Sequence, residues 1–279
     1  MPPSRLFDSR SSDTAKRRAA RIGGDVFLAR AAAEGIADRL EPVTRKFARG
    51  LMVGGPVPDA LKGFAGEWQS ADFNSDDFLD VAAENFDLAL SVFSLQAVND
   101  LPGALIQIRR ALKPDGLFLG AIFAGSTLHE LRESFAAAEA GTLGGISPRV
   151  APFGDVRDLG GLLQRAGFAL PVADLERTLV RYSDVESLVR DLRSHGLTNA
   201  MTERRRRFLP RRTWNALRDY YAAHHAAQGK LNATFETVYL TGWAPHESQQ
   251  KPLKPGSART RLSDALGTVE QSAGEKPPR

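Results

Sequence analysis

Residues 86–123 read FDLALSVFSLQAVNDLPGALIQIRRALKPDGLFLGAIF. The first eight, FDLALSVF, are almost continuously apolar, the pattern of a strand buried on both faces. Beyond Asn99-Asp100-Leu101-Pro102, residues 102–112 set Leu105, Ile106, Ile108 and Leu112 at helical spacing. Lys113-Pro114-Asp115-Gly116 is a turn signature, in which proline opens the turn and Gly116 supplies a positive φ. LFLGAIF at 117–123 is a second buried strand. A buried strand, a helix, a tight turn and another buried strand form a right-handed βαβ crossover, which requires a parallel sheet. The fold class is therefore α/β.

Upstream, Phe27, Leu28, Ala31, Ala32, Ile36 and Leu40 recur on one helical face, and Pro42 ends that helix. GLMV at 50–53 reads as a strand running into Gly54-Gly55-Pro56, followed by a short helix at 59–64 and a strand at 67–71. Downstream, residues 127–140 form an amphipathic helix, and 141–153 a loop punctuated by Gly144, Gly145, Pro148 and Pro152. Asp155 caps a helix that Gly167 closes. Residues 169–182 read as a strand and 185–195 and 212–225 as helices. ATFETVYLTGW at 233–243 alternates as a strand, antiparallel to its neighbour. This organisation predicts a mobile basic arm at 1–24 docking through Leu6 and Phe7, a domain at 25–246, and a loose basic tail at 247–279 with a short helix near 262–266.

The chain has 279 residues, 42% hydrophobic and 25% charged, which is ordinary globular composition. It contains no cysteine, which removes disulfides, thiolate metal sites and a thiol nucleophile. No apolar run reaches the ~18 residues of a membrane span, and the N-terminus lacks the apolar core of a secretory signal. A cytoplasmic protein is expected. The net charge of +4 is modest, but basic residues cluster at 10–21, at 204–212 and beyond 250. Such clusters read as solvated surface, as a face for an acidic protein partner, or as a peripheral contact with the inner face of an anionic membrane. The arginine runs lack the repeated interleaved aromatics of a stacking groove, so no nucleic-acid groove is expected. The five histidines form no HExxH or i, i+4 pair, so no metal site is expected. Neither Ser126 nor Ser147 sits in a GxSxG elbow, which argues against a hydrolase.

The ordered string from residue 86 to 123 resembles the second half of class I S-adenosylmethionine-dependent methyltransferases, where the fourth strand, fourth helix and fifth strand carry an LKPDG-like turn. The resemblance implies a Rossmann-like fold, here with a shortened N-terminal half and extra C-terminal helices. Ser94 to Pro102, Ser147 to Phe153, Gly242 to Gln249 and Phe7-Asp8-Ser9-Arg10 look like the bacterial type of the family of assembly factor 5 for respiratory complex I. That resemblance implies an assembly or maturation role for NADH:quinone oxidoreductase through a protein subunit of that complex; mitochondrial members are described as arginine hydroxylases. A more distant look-alike is the carrier-protein carboxyl methyltransferase of biotin synthesis. The alternative it leaves open is an active methyltransferase on a small-molecule, carrier-bound or protein substrate.

The cofactor segment departs from the family. Met52 stands where relatives carry an acidic residue at the end of the first strand, and Pro56 and Pro58 stand where later glycines belong. Proline fixes φ near −65° and has no N–H. Only eighteen residues separate Gly54 from Asp72, room for one short helix and one strand rather than two of each. S-adenosylmethionine is therefore expected to bind weakly or not at all. Gly54, Gly55, Asp72, Phe73, Ser91 and Leu95 are the cofactor candidates. Asp72, twenty residues beyond Met52, suits a ribose-binding acid ending the second strand. Family order instead favours the Ala-Asp pair that follows the third strand, and a loop-start carboxylate making its own turn is the third reading. Ser147, Arg149, Trp243 and His246 are the candidates for substrate or partner, and no catalytic residue is assigned.

Overall fold

The computed structural model describes residues 5–250 and 262–269. Its contacts divide the chain into Met1–Pro245 and His246–Arg279. Within the first unit, helices α1 (Ser9–Ile22) and α2 (Phe27–Leu40) precede strand β1 (Phe47–Val53). A 3₁₀ turn (Asp59–Phe64) leads to β2 (Ala65–Ala71), and β3 (Phe86–Val92), α3 (Leu101–Ala111) and β4 (Leu112–Phe123) form the predicted crossover. Then come α4 (His129–Leu143), α5 (Val156–Arg165), β5 (Ala169–Tyr182), α6 (Val185–Ser194), α7 (Arg211–His224), β6 (Ala226–Ala227) and β7 (Lys230–Trp243). In the second unit, α8 (Leu262–Leu266) is the short helix expected there; residues 251–261 and 270–279, on which the rest of the tail expectation falls, lie outside the described residues.

The strands form one sheet in the order β2-β1-β3-β4-β7-β5, with β6 paired to β7. β1 to β4 run parallel, and β7 runs antiparallel to both β4 and β5. A doubly wound sheet of order 3-2-1-4-5-6 has two strands beyond its first. Here only β2 lies beyond β1, so the short interval after Gly54 appears as a missing edge strand. The sheet alternates in side-chain direction. Leu51 and Val53 join the cluster under α3 and α5, with Leu105, Ile108, Leu159 and Leu163. Met52 joins the opposite cluster with Ile36 and Leu40 of α2. α4, α6 and α7 cover the ends of β4 and β7 through Leu131, Leu188, Leu217 and Tyr221.

Close approach explains two glycines. A Cβ on Gly35 of α2 would lie 2.2 Å from the Tyr239 hydroxyl of β7, and one on Gly50 would lie 2.6 Å from the Trp68 ring of β2. Caps fall where the sequence places them: Asp155 accepts the N–H groups of Arg157 and Asp158, and Gly167 leaves α5 at φ +82°.

Two expectations need correcting. The 113–116 segment is not a turn between elements but an irregularity inside β4, whose register with β3 shifts between Phe86 and Leu88. The left-handed residue there is Asp115, at φ 62°, and not Gly116. Arg45 holds the Asp115 carboxylate and its backbone carbonyl, which supports that conformation. Second, the stretch read as an arm contains α1. Asp8 caps the helix by accepting the Ser11 N–H; Phe7 docks as expected, 8% exposed and bridged to Met201, whereas Leu6 is 45% exposed.

Candidate functional site

From β1 the chain turns to β2 on one side and then crosses to β3 on the other. Ligand crevices in open α/β sheets lie beyond the carboxyl ends of the strands at such a switch point. Gly54 and Gly55 follow β1 at φ 86° and 113°, a region that side chains disfavour. A Cβ on Gly54 would lie 2.1 Å from Ser94 Cβ, whereas one on Gly55 meets nothing within 4 Å. Phe93 leaves β3 at φ 49°, a strained position for a bulky residue.

A cavity of about 610 Å³ opens there, within the range of small-molecule sites. Gly54, Gly55, Pro56 and Asp72 line it. Phe93, Phe123, Phe153 and Phe235 line it as well, with Phe93 and Phe123 stacked at 3.9 Å between centroids. α1 contributes Ser12, Lys16 and Ala20 to the wall, and the segment after α6 contributes His195 and Asn199.

The charged groups of the lining are already paired. Lys16 Nζ lies 2.7 Å from Asp72 Oδ2, and Asp72 Oδ1 accepts the Phe73 N–H at 2.9 Å. Arg149 donates through Nε and Nη2 to Glu139, a side chain 1% exposed that also accepts the N–H and hydroxyl of Ser147. Burial alone would raise the Glu139 pKa, but the Ser147 and Arg149 donors hold it below the usual value. His195 Nδ1 donates to Asp191 O and Nε2 accepts the Leu28 N–H, so the imidazole caps the start of α2. Behind the wall Glu236 accepts from Arg177 and from the Ser126 N–H. Its burial is outweighed by those donors, and its pKa is lowered.

Of the cofactor candidates, Gly54, Gly55 and Asp72 line the cavity. Ser91 stands behind it, its hydroxyl 2.6 Å from that of Ser94, which does line it. Leu95 is buried in the core at 1% exposure, and Phe73 bridges Leu79. Of the other candidates, Arg149 lines the cavity while Ser147 is held by Glu139. Trp243 is at the opposite end of the sheet: because β7 is antiparallel, it pairs with Leu117 at the start of the buried run, and Thr237 pairs with Phe123 at the cavity end. His246 belongs to the second unit, with Nδ1 2.7 Å from Ser248 Oγ. Sequence reasoning missed the four phenylalanines, Gln96, Lys16, Glu139 and His195. Phe93 and Phe123 carried a signal, since each ends a buried strand; the others reach the site only through tertiary packing. Among the described residues no three His, Asp or Glu side chains converge as a metal site, and no helix is long and apolar enough to cross a membrane.

Residues 55–200 match the family described as a methyltransferase domain. The chain is 42% identical over 190 residues to arginine-hydroxylase NDUFAF5, mitochondrial, of Danio rerio, covering 68% of this chain and 59% of that protein. It is 42% identical over 195 residues to the Homo sapiens protein of the same name, covering 70% and 56%. It is 35% identical over 178 residues to the malonyl-[acyl-carrier protein] O-methyltransferase of Laribacter hongkongensis, covering 64% and 58%. The chain thus spans less than two thirds of each of these relatives. Among solved structures, YcgJ of Bacillus subtilis superimposes with a TM-score of 0.50 at 12% identity, over 77% of this chain and 99% of that one. A methyltransferase-like protein of Bacillus halodurans gives 0.50 at 12%, over 76% and 99%. These two establish the fold.

Proposed function

The chain belongs to the methyltransferase-domain family, and from that premise we propose that it is an assembly or maturation factor for respiratory NADH:quinone oxidoreductase that acts by binding a protein subunit of that complex. The observation that carries this reading is the 41–42% identity, over about two thirds of the chain, to proteins named arginine-hydroxylase NDUFAF5. In this reading S-adenosylmethionine, the cofactor of the superfamily, binds weakly or has been lost. The glycine turn and the cavity fit the cofactor, but the set of acidic acceptors does not. Met52, 1% exposed and packed under α2, supplies no acceptor. Asp72, the carboxylate lining the cavity, is engaged by Lys16 and Phe73. Pro56, which has no N–H to offer, lines the turn. No chemical step is therefore routed through the cofactor.

Peripheral contact with an anionic membrane face is part of the proposal. Residues 204–212 carry six arginines, and Phe208 among them is fully exposed. The second reading, an active methyltransferase, is favoured by the open space above Gly55 and by the likeness to malonyl-[acyl-carrier protein] O-methyltransferase. Two measurements separate the readings. Deleting the gene is expected to lower assembled NADH:quinone oxidoreductase and leave other respiratory complexes unchanged; normal levels would refute the assembly role. Calorimetric titration with S-adenosylmethionine is expected to give a dissociation constant above ~100 μM, and micromolar binding would favour the active enzyme.

A further inference from the structure

The sheet ends in two strands, β2 and β5, and their outer edges differ. β2 is seven residues long, with Glu67 and Ser70 exposed, and short polar edges resist pairing with another chain. β5 is fourteen residues long, about twice the common strand length. Among the described residues it pairs with β7 alone, so its other side presents unpaired backbone N–H and C=O groups. Edges of this kind are usually blunted by lysine, proline or a bulge. β5 contains no lysine, and its Pro171 and its register shift both fall at the start, between Ala169 and Val172. From Val172 to Tyr182 its ladder with β7 is unbroken, and residues 175–179 are exposed one after another.

The side chains on this edge are apolar where they are least covered. Ala173, Leu175, Arg177 and Leu179 share one face of the strand. α5 covers that face at Ala173, where a Cβ on Gly160 would lie 3.4 Å away. Beyond it Leu175 and Leu179 are 41% and 50% exposed. Arg177, between them, turns its guanidinium towards β7, donating to Glu236 Oε1 from Nε at 3.0 Å and Nη2 at 2.6 Å. On the opposite face Arg39 of α2 holds Asp174 and Glu176. The edge therefore carries two exposed leucines, and its central charges are balanced within the chain.

We propose that β5 pairs antiparallel with β5 of a second copy of this chain about a two-fold axis at Arg177, joining the two sheets into one. Arg177 is the midpoint of the eleven regular residues from Val172 to Tyr182, so this register alone pairs the whole of that stretch with itself. It also sets Leu175 opposite the partner's Leu179, and by symmetry does so twice. Neighbouring registers do neither. Centring on Glu176 sets that carboxylate against itself and each Leu175 against an arginine. Centring on Thr178 sets both leucines against arginines, Leu175 against the partner's Arg181 and Leu179 against the partner's Arg177. In the proposed register the two Arg177 side chains meet, but each is neutralised by Glu236 of its own copy. About ten backbone hydrogen bonds would form, the usual number for a specific interface. The two-fold reverses the strands, so the crevices open at opposite ends of the joined sheet and each is built from one copy. The proposal is thus independent of the assembly role and of the cofactor.

The test is sedimentation of the full chain from about 1 μM to about 200 μM. A monomer–dimer equilibrium with no larger species is expected, because a two-fold contact closes on itself. Leu175→Lys with Leu179→Lys places lysine opposite lysine twice and is expected to weaken the dimer at least about tenfold. Leu175→Glu with Leu179→Lys places opposite charges across the axis and is expected to return the affinity to within about threefold of the parent. Neither leucine is buried, and circular dichroism checks that the variants stay folded. The chain has no cysteine, so an introduced thiol reports its own neighbour. Arg177→Cys sets two thiols across the axis within disulfide reach and is expected to cross-link on mild oxidation. Thr178→Cys, opposite the partner's Glu176, is expected to cross-link at least about tenfold more slowly. A chain that stays monomeric would overturn the proposal. So would a dimer indifferent to the paired lysines, as one made through the tail or another face would be. Failure of the glutamate–lysine pair to restore association, or equal cross-linking at 177 and 178, would overturn it as well.

Discussion

At the scale of single residues, Glu139 has the largest expected effect. It sits 1% exposed on α4 and gathers the Ser147 backbone and hydroxyl together with the Arg149 guanidinium, fixing the loop that forms one wall of the cavity. Glu139→Ala leaves a mostly buried arginine without its counter-ion, which is expected to cost about 2–3 kcal/mol in urea unfolding. The lowered pKa sets the sign of the pH dependence. A carboxylate whose folded pKa lies below its unfolded one contributes stability above the unfolded value, and loses it as pH falls through the folded value. Glu236 and Asp87 shift in the same direction for the same kind of reason, donors outweighing burial. Stability measured from pH 7 downward should therefore hold until below about pH 4.5 and then fall, and the fall should be shallower in Glu139→Ala than in the parent. The sequence pointed to Ser147 and Arg149 but not to Glu139, because the carboxylate is eight and ten residues away on another element and no local spacing signals the pairing.

At the scale of elements, the packing of α2 on β7 is decided by Gly35. Alanine is the better helix former by about 1 kcal/mol. Yet its Cβ would lie 2.2 Å from the hydroxyl of Tyr239, a ring that is 3% exposed and covered by the Arg39 guanidinium at 3.6 Å. Overpacking of this kind costs about 1–3 kcal/mol, so Gly35→Ala should be net destabilising or neutral in thermal unfolding, against its helix propensity. Lys16→Ala should behave differently. The Lys16–Asp72 pair is about half exposed on both sides, and such pairs contribute less than about 1 kcal/mol. Its melting temperature should hardly move, and a large drop would mean that α1 depends on this contact. The parallel core was legible because strand, helix and strand periods follow one another over 86–123, although the turn read at 113–116 is an irregularity inside β4, and β7 because 233–243 alternates. α1 was not legible: its Ser9–Ile22 sequence is polar and basic, with Ala15 its one fully buried residue. The helix is held by Asp8, Phe7 and their partners near Ala200 and Met201, almost the length of the domain away in sequence. The same limit hid the cavity, whose wall joins strand ends to α1 and to the segment after α6, elements that only tertiary packing brings together.

At the scale of the molecule, the question is how strongly the crevice couples a ligand to folding. A ligand that binds only the folded chain raises its stability by RT ln(1 + [L]/Kd). If S-adenosylmethionine binds with a dissociation constant near 100 μM, 1 mM ligand adds about 1.4 kcal/mol, and for a chain of this size that moves the melting temperature by roughly 3–5 °C at most. A dissociation constant of 10 μM would add about 2.7 kcal/mol and roughly twice that shift. The lower figure or less is expected, for reasons that lie in different parts of the fold. At the end of β1 the side chain of Met52 is committed to the core beneath α2, so that strand end presents no acceptor. Beyond β1 there is one strand where a doubly wound sheet has two, so β2 alone can offer a carboxylate from that side. The carboxylate that follows it, Asp72, must first release Lys16. Each charge-assisted hydrogen bond left unmade is worth about 1.5–3 kcal/mol. Two of them span roughly a hundredfold to ten-thousandfold in affinity, far more than freeing Asp72 from a half-exposed ion pair would restore. Lys16→Ala should therefore change the S-adenosylmethionine-dependent shift by less than about 2 °C. A shift that doubles in that variant would show that Asp72 does reach the cofactor and that α1 holds it back.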